Sequence, residues 1–462
     1  RERRKCERGR ALRARIYTSS PAKMGFPAAI AMVSVLLLGR ATTAFVQLPL
    51  SQGLAPSSAA AVATSKNTAI MFPSSSATGG PKRGLERPRS RGVGTSTAAA
   101  GGGGGADGDP PRVLCHGEVL FDCIATPAAA GWELDRVVAE EAWKAYPGGA
   151  PANVACALSK LGVPVGFVGA VGEDSEGDEL LGVLEKCGVN TQLAARVKGY
   201  PTRTVMVTRD TEGDRTFAGF GGGKPSDSFA DCHHRLSEME DSAKRFLRPG
   251  SWVVQGTLGL ASPGSLESHL CLAEWAKEAG ALRFLDINWR PVFWELAGTG
   301  TGKASFESLA RERIVAFSLT ADVVKLTDEE AEWLSGVPGD EALRDPSCLK
   351  TLFPAAKAIL VTAGANGAGY LIGGQTGFVP SFQNAAIVET TGAGDAFSAG
   401  FIAEAIKCLS PNRGSGGGGG DGGVGGGARG MIRFAAAVGA LTCGGDGAIA
   451  PQPLESDVLR LL

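Results

Sequence analysis

Residues 388–406, Val-Glu-Thr-Thr-Gly-Ala-Gly-Asp followed by an apolar-faced run to Ile406, carry the residue types that could do chemistry. A strand end is expected to run into the turn Gly392-Ala393-Gly394, and a helix to follow with Phe397, Phe401, Ile402, Ala405 and Ile406 on one face. Glycines let backbone approach a ligand closely. The amides of a helix's first turn, reinforced by its dipole, make a ready anion hole. Asp395 stands where its carboxylate could take a proton from a hydroxyl as a phosphoryl group arrives. An Asp at a helix start also serves as a plain N-cap, so this segment alone leaves both roles open.

Other segments could complete such a site. Tyr146 to Asn153 (YPGGAPAN) is a second glycine-rich turn opening a helix. Gly148 and Gly149 bend the chain there, and Asn153 can both donate to and accept from a hydroxyl, although a loop with an N-cap reads equally well. Asp122, ending an apolar run, is an acceptor-only group suited to binding two sugar hydroxyls. Asp286-Ile287-Asn288-Trp289-Arg290 ends another run, and Arg290 could hold a phosphate or form a surface ion pair. Thr362, Gly364 and Gly367 lie in a glycine turn after a strand, usable against a nucleotide. Gly302-Lys303 and Gly223-Lys224 lack the upstream Gly and following Ser/Thr of a Walker-type loop. No GxSxG, HExxH or CxxC occurs, so hydrolase-triad and zinc-protease chemistry have no support.

These residues need a scaffold, and the pattern supplies one. Arg112 to Asp122 reads as a first buried strand, Asn153 to Gly162 as a helix, Pro164 to Val171 as a strand and Glu179 to Cys187 as a helix. Short apolar runs at 251–254, 282–287, 323–326 and 358–361 repeat the strand signal, with helix-length stretches such as 266–279 between them. Strands alternating with helices predict an α/β fold, a mostly parallel sheet covered on both faces, with ligands beyond the carboxyl ends of its strands. Thr202 to Phe220 reads instead as a hairpin, a candidate lid. Pro411 to Gly430 reads as a disordered glycine-rich surface loop between two helices.

The chain has 46 basic and 47 acidic side chains, a balance that hides two unlike parts. Residues 1–105 carry 16 Lys/Arg against three acids, whereas residues 106–462 carry 30 basic and 44 acidic groups. An acidic body repels polyphosphate, which argues against nucleic-acid binding. From Met24 the sequence reads as a signal peptide whose apolar run, Ala28 to Leu38, is too short to span a bilayer. From Ser51 to Gly105 it is rich in Ser and Ala, basic and almost free of acids, like a transit peptide. Together they predict a disordered bipartite leader over 1–110 and delivery to a plastid; without a working leader the body would stay in the cytoplasm. Ten cysteines occur singly from Cys6 to Cys443, a spacing that supports neither a zinc site nor a disulfide framework.

GGAPAN at 148–153, GAVGEDSEG at 169–177 and TTGAGDAFSAGF at 390–401 resemble the two signatures of the ribokinase-like (PfkB) sugar kinases. The resemblance spans about Val113 to Pro453. GEVLFD at 117–122, DINWRP at 286–291, KLTDEEAEWL at 325–334 and GALTCGGDGAI at 439–449 are similar to the fructokinase branch. The resemblance implies a three-layer α/β/α kinase domain over 111–462, with a small β lid from about 119–147 and 202–223. It implies transfer of phosphate from ATP to a sugar hydroxyl, fructose first, with another furanose, a nucleoside or a catalytically silent scaffold as alternatives. By position, Asp395 would be the base and Gly392, Ala393 and Gly394 the anion hole. Asp122, Gly148, Gly149 and Asn153 would hold the sugar, with Arg290 near the phosphate. Thr362, Gly364 and Gly367 would line the nucleotide side. Glu330 would influence magnesium indirectly, and Glu389 could belong to a potassium site. This sequence departs from the family at Glu389, where an Asp is usual, at Thr327, where the magnesium element has Asn, and at Ala436, where fructokinases often have Asn beside the adenine. A lid hairpin could also pair with its twin in a homodimer.

Overall fold

Apolar strands buried on both faces need layers on both sides, and the computed structural model shows how the chain supplies them. The structure describes residues 112–211, 215–295, 303–382, 387–409 and 427–462. The leader expected over 1–110 and the glycine tract up to residue 426 lie outside the described residues. Residues 428–430, expected in that tract, instead form the first turn of a helix.

Nine strands form the main sheet: β1 (Val113–His116), β4 (Val165–Gly172), β5 (Asn190–Val197), β8 (Trp252–Gln255), β9 (Leu282–Asp286), β10 (Val323–Thr327), β11 (Ala358–Thr362), β12 (Ala368–Ile372) and β13 (Gln375–Val379). Their order is β13-β12-β11-β10-β9-β8-β1-β4-β5, parallel from β5 to β11. At the far edge β12 and β13 return antiparallel as hairpins, which the alternating pattern did not announce. β4 is buried along all eight residues, as a central strand between two layers must be.

The covering helices that matter for the site are α1 (Ala150–Lys160), α2 (Ser175–Lys186), α3 (Pro263–Ala279), α4 (Lys303–Ser318), α5 (Asp328–Ser335), α6 (Ala393–Leu409) and α7 (Ala428–Thr442). Strand alternation divides the core between the two faces. Val113 and Cys115 pack with α1, α6 and α7, whereas Leu114 packs on the opposite side with Leu272 and Trp275 of α3. Among the described residues no helix is long and apolar enough to cross a membrane.

A second sheet holds β2 (Leu120–Ala125), β3 (Trp143–Gly148), β6 (Thr204–Arg209) and β7 (Arg215–Phe220) in the order β3-β2-β6-β7. The expected hairpin is present as the antiparallel pair β6–β7, while β2 and β6 run parallel. The single strand expected over 112–122 is two strands in two different sheets. Gly117 breaks it: its φ is +149°, and a Cβ there would lie 2.6 Å from Pro151 Cγ. Asp122 therefore sits inside β2, not at the end of the first strand. The strand expected to run into Thr390 is not found among the described residues 387–390. Val388 and Glu389 donate their amides to Cys443 O at 2.8 and 3.2 Å, which ties this segment to the end of α7.

Candidate active site

A cleft of about 820 Å³ opens between the carboxyl ends of the parallel strands and the small sheet. Asp122, Gly149, Asn153, Arg290, Glu330, Thr362, Gly364, Gly367, Gly392, Ala393, Gly394 and Asp395 all line it. Segments from six parts of the sequence thus meet at one place, where an open α/β sheet takes its ligands.

The start of α6 forms the floor. Gly392 has φ +78°, and a Cβ on it would lie 2.7 Å from Ala448 Cβ, so only glycine fits. Ala396 N donates to Gly392 O at 2.9 Å, and Ala393 N closes the turn onto Thr390 O at 3.2 Å. Asp395, in the first turn of α6, accepts a hydrogen bond at Oδ2 from Asn153 Nδ2 at 2.8 Å. That bond joins α6 to the first turn of α1, 242 residues away in sequence. Burial pushes Asp395 up to about 6; the Asn153 bond opposes this, Asp286 adds to it, and Lys325 and Arg290 oppose it. A carboxylate in that range can be ionised at neutral pH yet accept a proton.

Asn153 is buried, and its Oδ1 has no hydrogen-bond partner among the described residues. Its backbone is fixed on both sides: Asn153 N donates to Gly149 O at 2.8 Å, and Gln452 Nε2 donates to Asn153 O at 2.9 Å. A buried acceptor without a partner, on a residue that lines a cleft, is a place for a ligand donor. Gly149 brings the backbone close at φ +99°, where a Cβ would lie 2.5 Å from Glu118 O. Gly148 does not line the cleft but makes room for a residue that does. A Cβ on it would lie 2.4 Å from Asp122 Oδ2.

On the other side, Glu330 is buried and lies in a capping box at the start of α5. Its Oε2 accepts from Thr327 N at 2.8 Å and its Oε1 from Trp289 N at 2.6 Å, while Glu330 N donates to Thr327 Oγ1 at 3.1 Å. Thr327, standing where the magnesium element usually has Asn, thus serves as the helix cap. Burial and then Asp286 raise the Glu330 carboxyl above its usual range. Arg290 is exposed on the rim. Thr362, Gly364 and Gly367 lie at the β11–β12 turn, and Ala436 of α7 lines the same cleft. Glu389 lies behind the cleft, buried, accepting from Gly447 N at 3.1 Å and from the Thr391 hydroxyl.

Three charged residues at the site went unassigned from sequence. Lys325 and Asp286, both buried, form an ion pair of 2.9 Å beneath the start of α6. Glu118, also buried, accepts from Ala150 N at 3.1 Å and lines the cleft. Burial raises Glu118 to about 7, with the charges of Asp231 and Asp395 adding to it. The available signal was a charged residue inside or ending an apolar strand run, in KLT, LDI and HGEV.

A buried, hydrogen-bonded carboxylate at a glycine-rich helix start, facing a cleft of about 820 Å³ beyond a parallel sheet, defines a small-molecule kinase. The chain belongs to the pfkB family carbohydrate kinases: that family's model matches residues 110–455. It is similar to "Fructokinase-1" of Zea mays, 33% identical over 350 residues that cover 76% of this chain and 97% of the relative. It is also similar to "Probable fructokinase-6, chloroplastic" of Arabidopsis thaliana, 32% identical over 354 residues, 77% of this chain and 83% of the relative. Among solved structures, fructokinase with bound ATP from Xylella fastidiosa superposes with a TM-score of 0.59 at 29% identity, covering 76% of this chain and 98% of that one. A putative ribokinase II from E. coli, 21% identical with a TM-score of 0.60 over 76% of this chain and 99% of that one, shares the fold.

Proposed function

We propose that the protein transfers the γ-phosphoryl group of ATP to the 6-hydroxyl of fructose, giving fructose 6-phosphate and ADP. The observation that carries this reading is the 2.8 Å bond between Asn153 and Asp395 at the Gly392–Gly394 turn. It puts a tuned carboxylate, an acceptor for a hydroxyl and an anion hole within one cleft. Asp395 takes the proton of the attacking hydroxyl, and the Gly392-Ala393-Gly394 turn at the start of α6 receives the charge on the transferred group. Asp122 and Asn153 hold the sugar, Gly148 and Gly149 let them approach, and Arg290 meets the phosphate from the rim. Thr362, Gly364 and Gly367 receive the nucleotide, and the small sheet acts as the lid.

The donor set fits a hydrated magnesium ion. Both Glu330 oxygens already accept backbone amides, so Glu330 addresses such an ion through its water shell. When bound, magnesium neutralises charge on the phosphate oxygens. Glu389, which braces the 389–391 loop against Gly447, is assigned to a potassium-dependent element. The fructose assignment is supported by the names of the maize and Arabidopsis relatives, and plastid delivery by the chloroplastic one. The small sheet ends in the edge strands β3 and β7, through which a homodimer would form.

The test is acceptor specificity with magnesium-ATP: ADP release from a panel of fructose, ribose, other hexoses and nucleosides, with the phosphorylated carbon located by phosphorus–proton NMR. Fructose phosphorylated at carbon 6 with the highest kcat/KM supports the reading. A nucleoside or another furanose preferred over fructose overturns the acceptor. Inert folded protein across the panel leaves a silent scaffold as the explanation.

A further inference from the structure

Charged side chains under a covering helix are costly unless paired, so their presence in a central strand calls for a reason. Along β10, Val323 packs in the core beneath α6, while Val324 and Leu326 pack on the opposite face. Alternation therefore sends Lys325 under α6. On β9, Phe284 and Leu285 divide the same way and put Asp286 beside it. Lys325 is 5% and Asp286 4% exposed. Lys325 Nζ donates to both Asp286 oxygens at 2.9 and 3.2 Å, and Ser398 Oγ of α6 donates to Asp286 Oδ2 at 3.2 Å. A Cβ on Gly394 would lie 3.1 Å from Lys325 Nζ, so the ammonium abuts the backbone of the anion hole itself. Lys325 also lines the cleft.

We propose that Lys325 is a positioning residue for phosphoryl transfer: locked to Asp286, its ammonium fixes the start of α6 and keeps Asp395 in its acceptor form. The proposal rests on Asp395 being the base. The charged groups that face Asp395 are Asp286 from β9, Arg290 from the segment after β9, Lys325 from β10 and Glu118 from the β1–β2 turn. Glu330 of α5 acts on both Lys325 and Asp286, and Asp122 lines the same cleft. Burial works against the charge on Lys325, but Asp286, Glu330 and Asp395 together outweigh it and hold the ammonium protonated. The direct effects on Asp395 have opposite signs: Asp286 raises it and Lys325 lowers it.

That opposition makes the test specific. The pH dependence of kcat is measured on the full chain for the wild type, Lys325→Met, Lys325→Arg and Asp286→Asn, with magnesium-ATP and the best acceptor. Lys325→Met moves the acid limb up by about one pH unit or more and lowers neutral-pH kcat about tenfold or more, with KM for ATP held within about threefold. Lys325→Arg restores the wild-type limb, and Asp286→Asn moves it down. A merely structural role would not produce shifts of opposite sign. Limbs that stay in place, or that move the same way in Lys325→Met and Asp286→Asn, overturn the proposal. If Lys325→Met does not fold, the direction of the Asp286→Asn shift decides. Turnover by Asp395→Asn overturns the base assignment and this proposal together, whereas an inert Asp395→Asn alongside unmoved limbs overturns the role of Lys325 alone.

Discussion

Gly148→Ala separates sugar binding from the rest of the machinery. Gly148 pairs with Leu120 across β2 and β3, and its missing side chain leaves room for the carboxylate two residues along. A Cβ would sit 2.4 Å from Asp122 Oδ2, inside van der Waals contact by roughly 0.8 Å, so the carboxylate must swing away. A hydrogen bond to a charged group contributes about 1.5–3 kcal/mol, and each 1.4 kcal/mol is tenfold. Displacing Asp122 from one sugar hydroxyl therefore costs about 10- to 150-fold in kcat/KM for the sugar. The nucleotide side, built from the β11–β12 turn and α7, is untouched, so KM for ATP should change by less than about threefold. Steady-state kinetics with each substrate varied in turn reads both numbers. An unchanged kcat/KM for the sugar, or equal losses on both substrates, would refute the placement of Asp122 in the acceptor site.

Gly392→Ala combines a positive φ with a Cβ 2.7 Å from Ala448 Cβ, and should lower stability by about 1–3 kcal/mol and abolish turnover, read by thermal melts and ADP release. Asp231→Ala strands the buried Arg203, which Asp231 now engages at 2.8 and 3.0 Å, and should cost about 3–5 kcal/mol in denaturant unfolding. Burial lowers His234 and His269, packed around His116, from 6.5 to about 4. The unfolded chain then binds protons that the folded chain refuses, so stability falls as pH drops from 6.5 towards 4, by on the order of 3 kcal/mol per ring. Melting temperature against pH checks this; a flat profile through that window would contradict it.

Much of the site was legible because its parts are local. Gly392-Ala393-Gly394-Asp395 must be a turn opening a helix whatever surrounds it, and Gly148-Gly149 before an apolar helix carries the same instruction. The parallel sheet was legible from alternation, since strands buried on both faces have a composition that few other elements share. What escaped was non-local. Gly117 inside an apolar run reads as a tolerated glycine until Pro151 is packed against it, so one expected strand became two. Val388 has strand propensity, but its amide finds the carbonyl of Cys443 at the end of α7 instead of a neighbouring strand. Lys325 stood inside one apolar run and Asp286 near the end of another; only strand order β9-β10 and the cover of α6 make them a buried pair.

The central claim is that Asp395 is the base of a sugar kinase, and fructose-dependent ADP release by wild type and Asp395→Asn tests it most directly. The substitution keeps the shape and the neighbour Asn153 while removing the proton acceptor. Both proteins should fold and bind ATP alike, and the variant's turnover should fall by about 10²–10⁴-fold, the range set by loss of a general base. Turnover of Asp395→Asn within about tenfold of the wild type would contradict it.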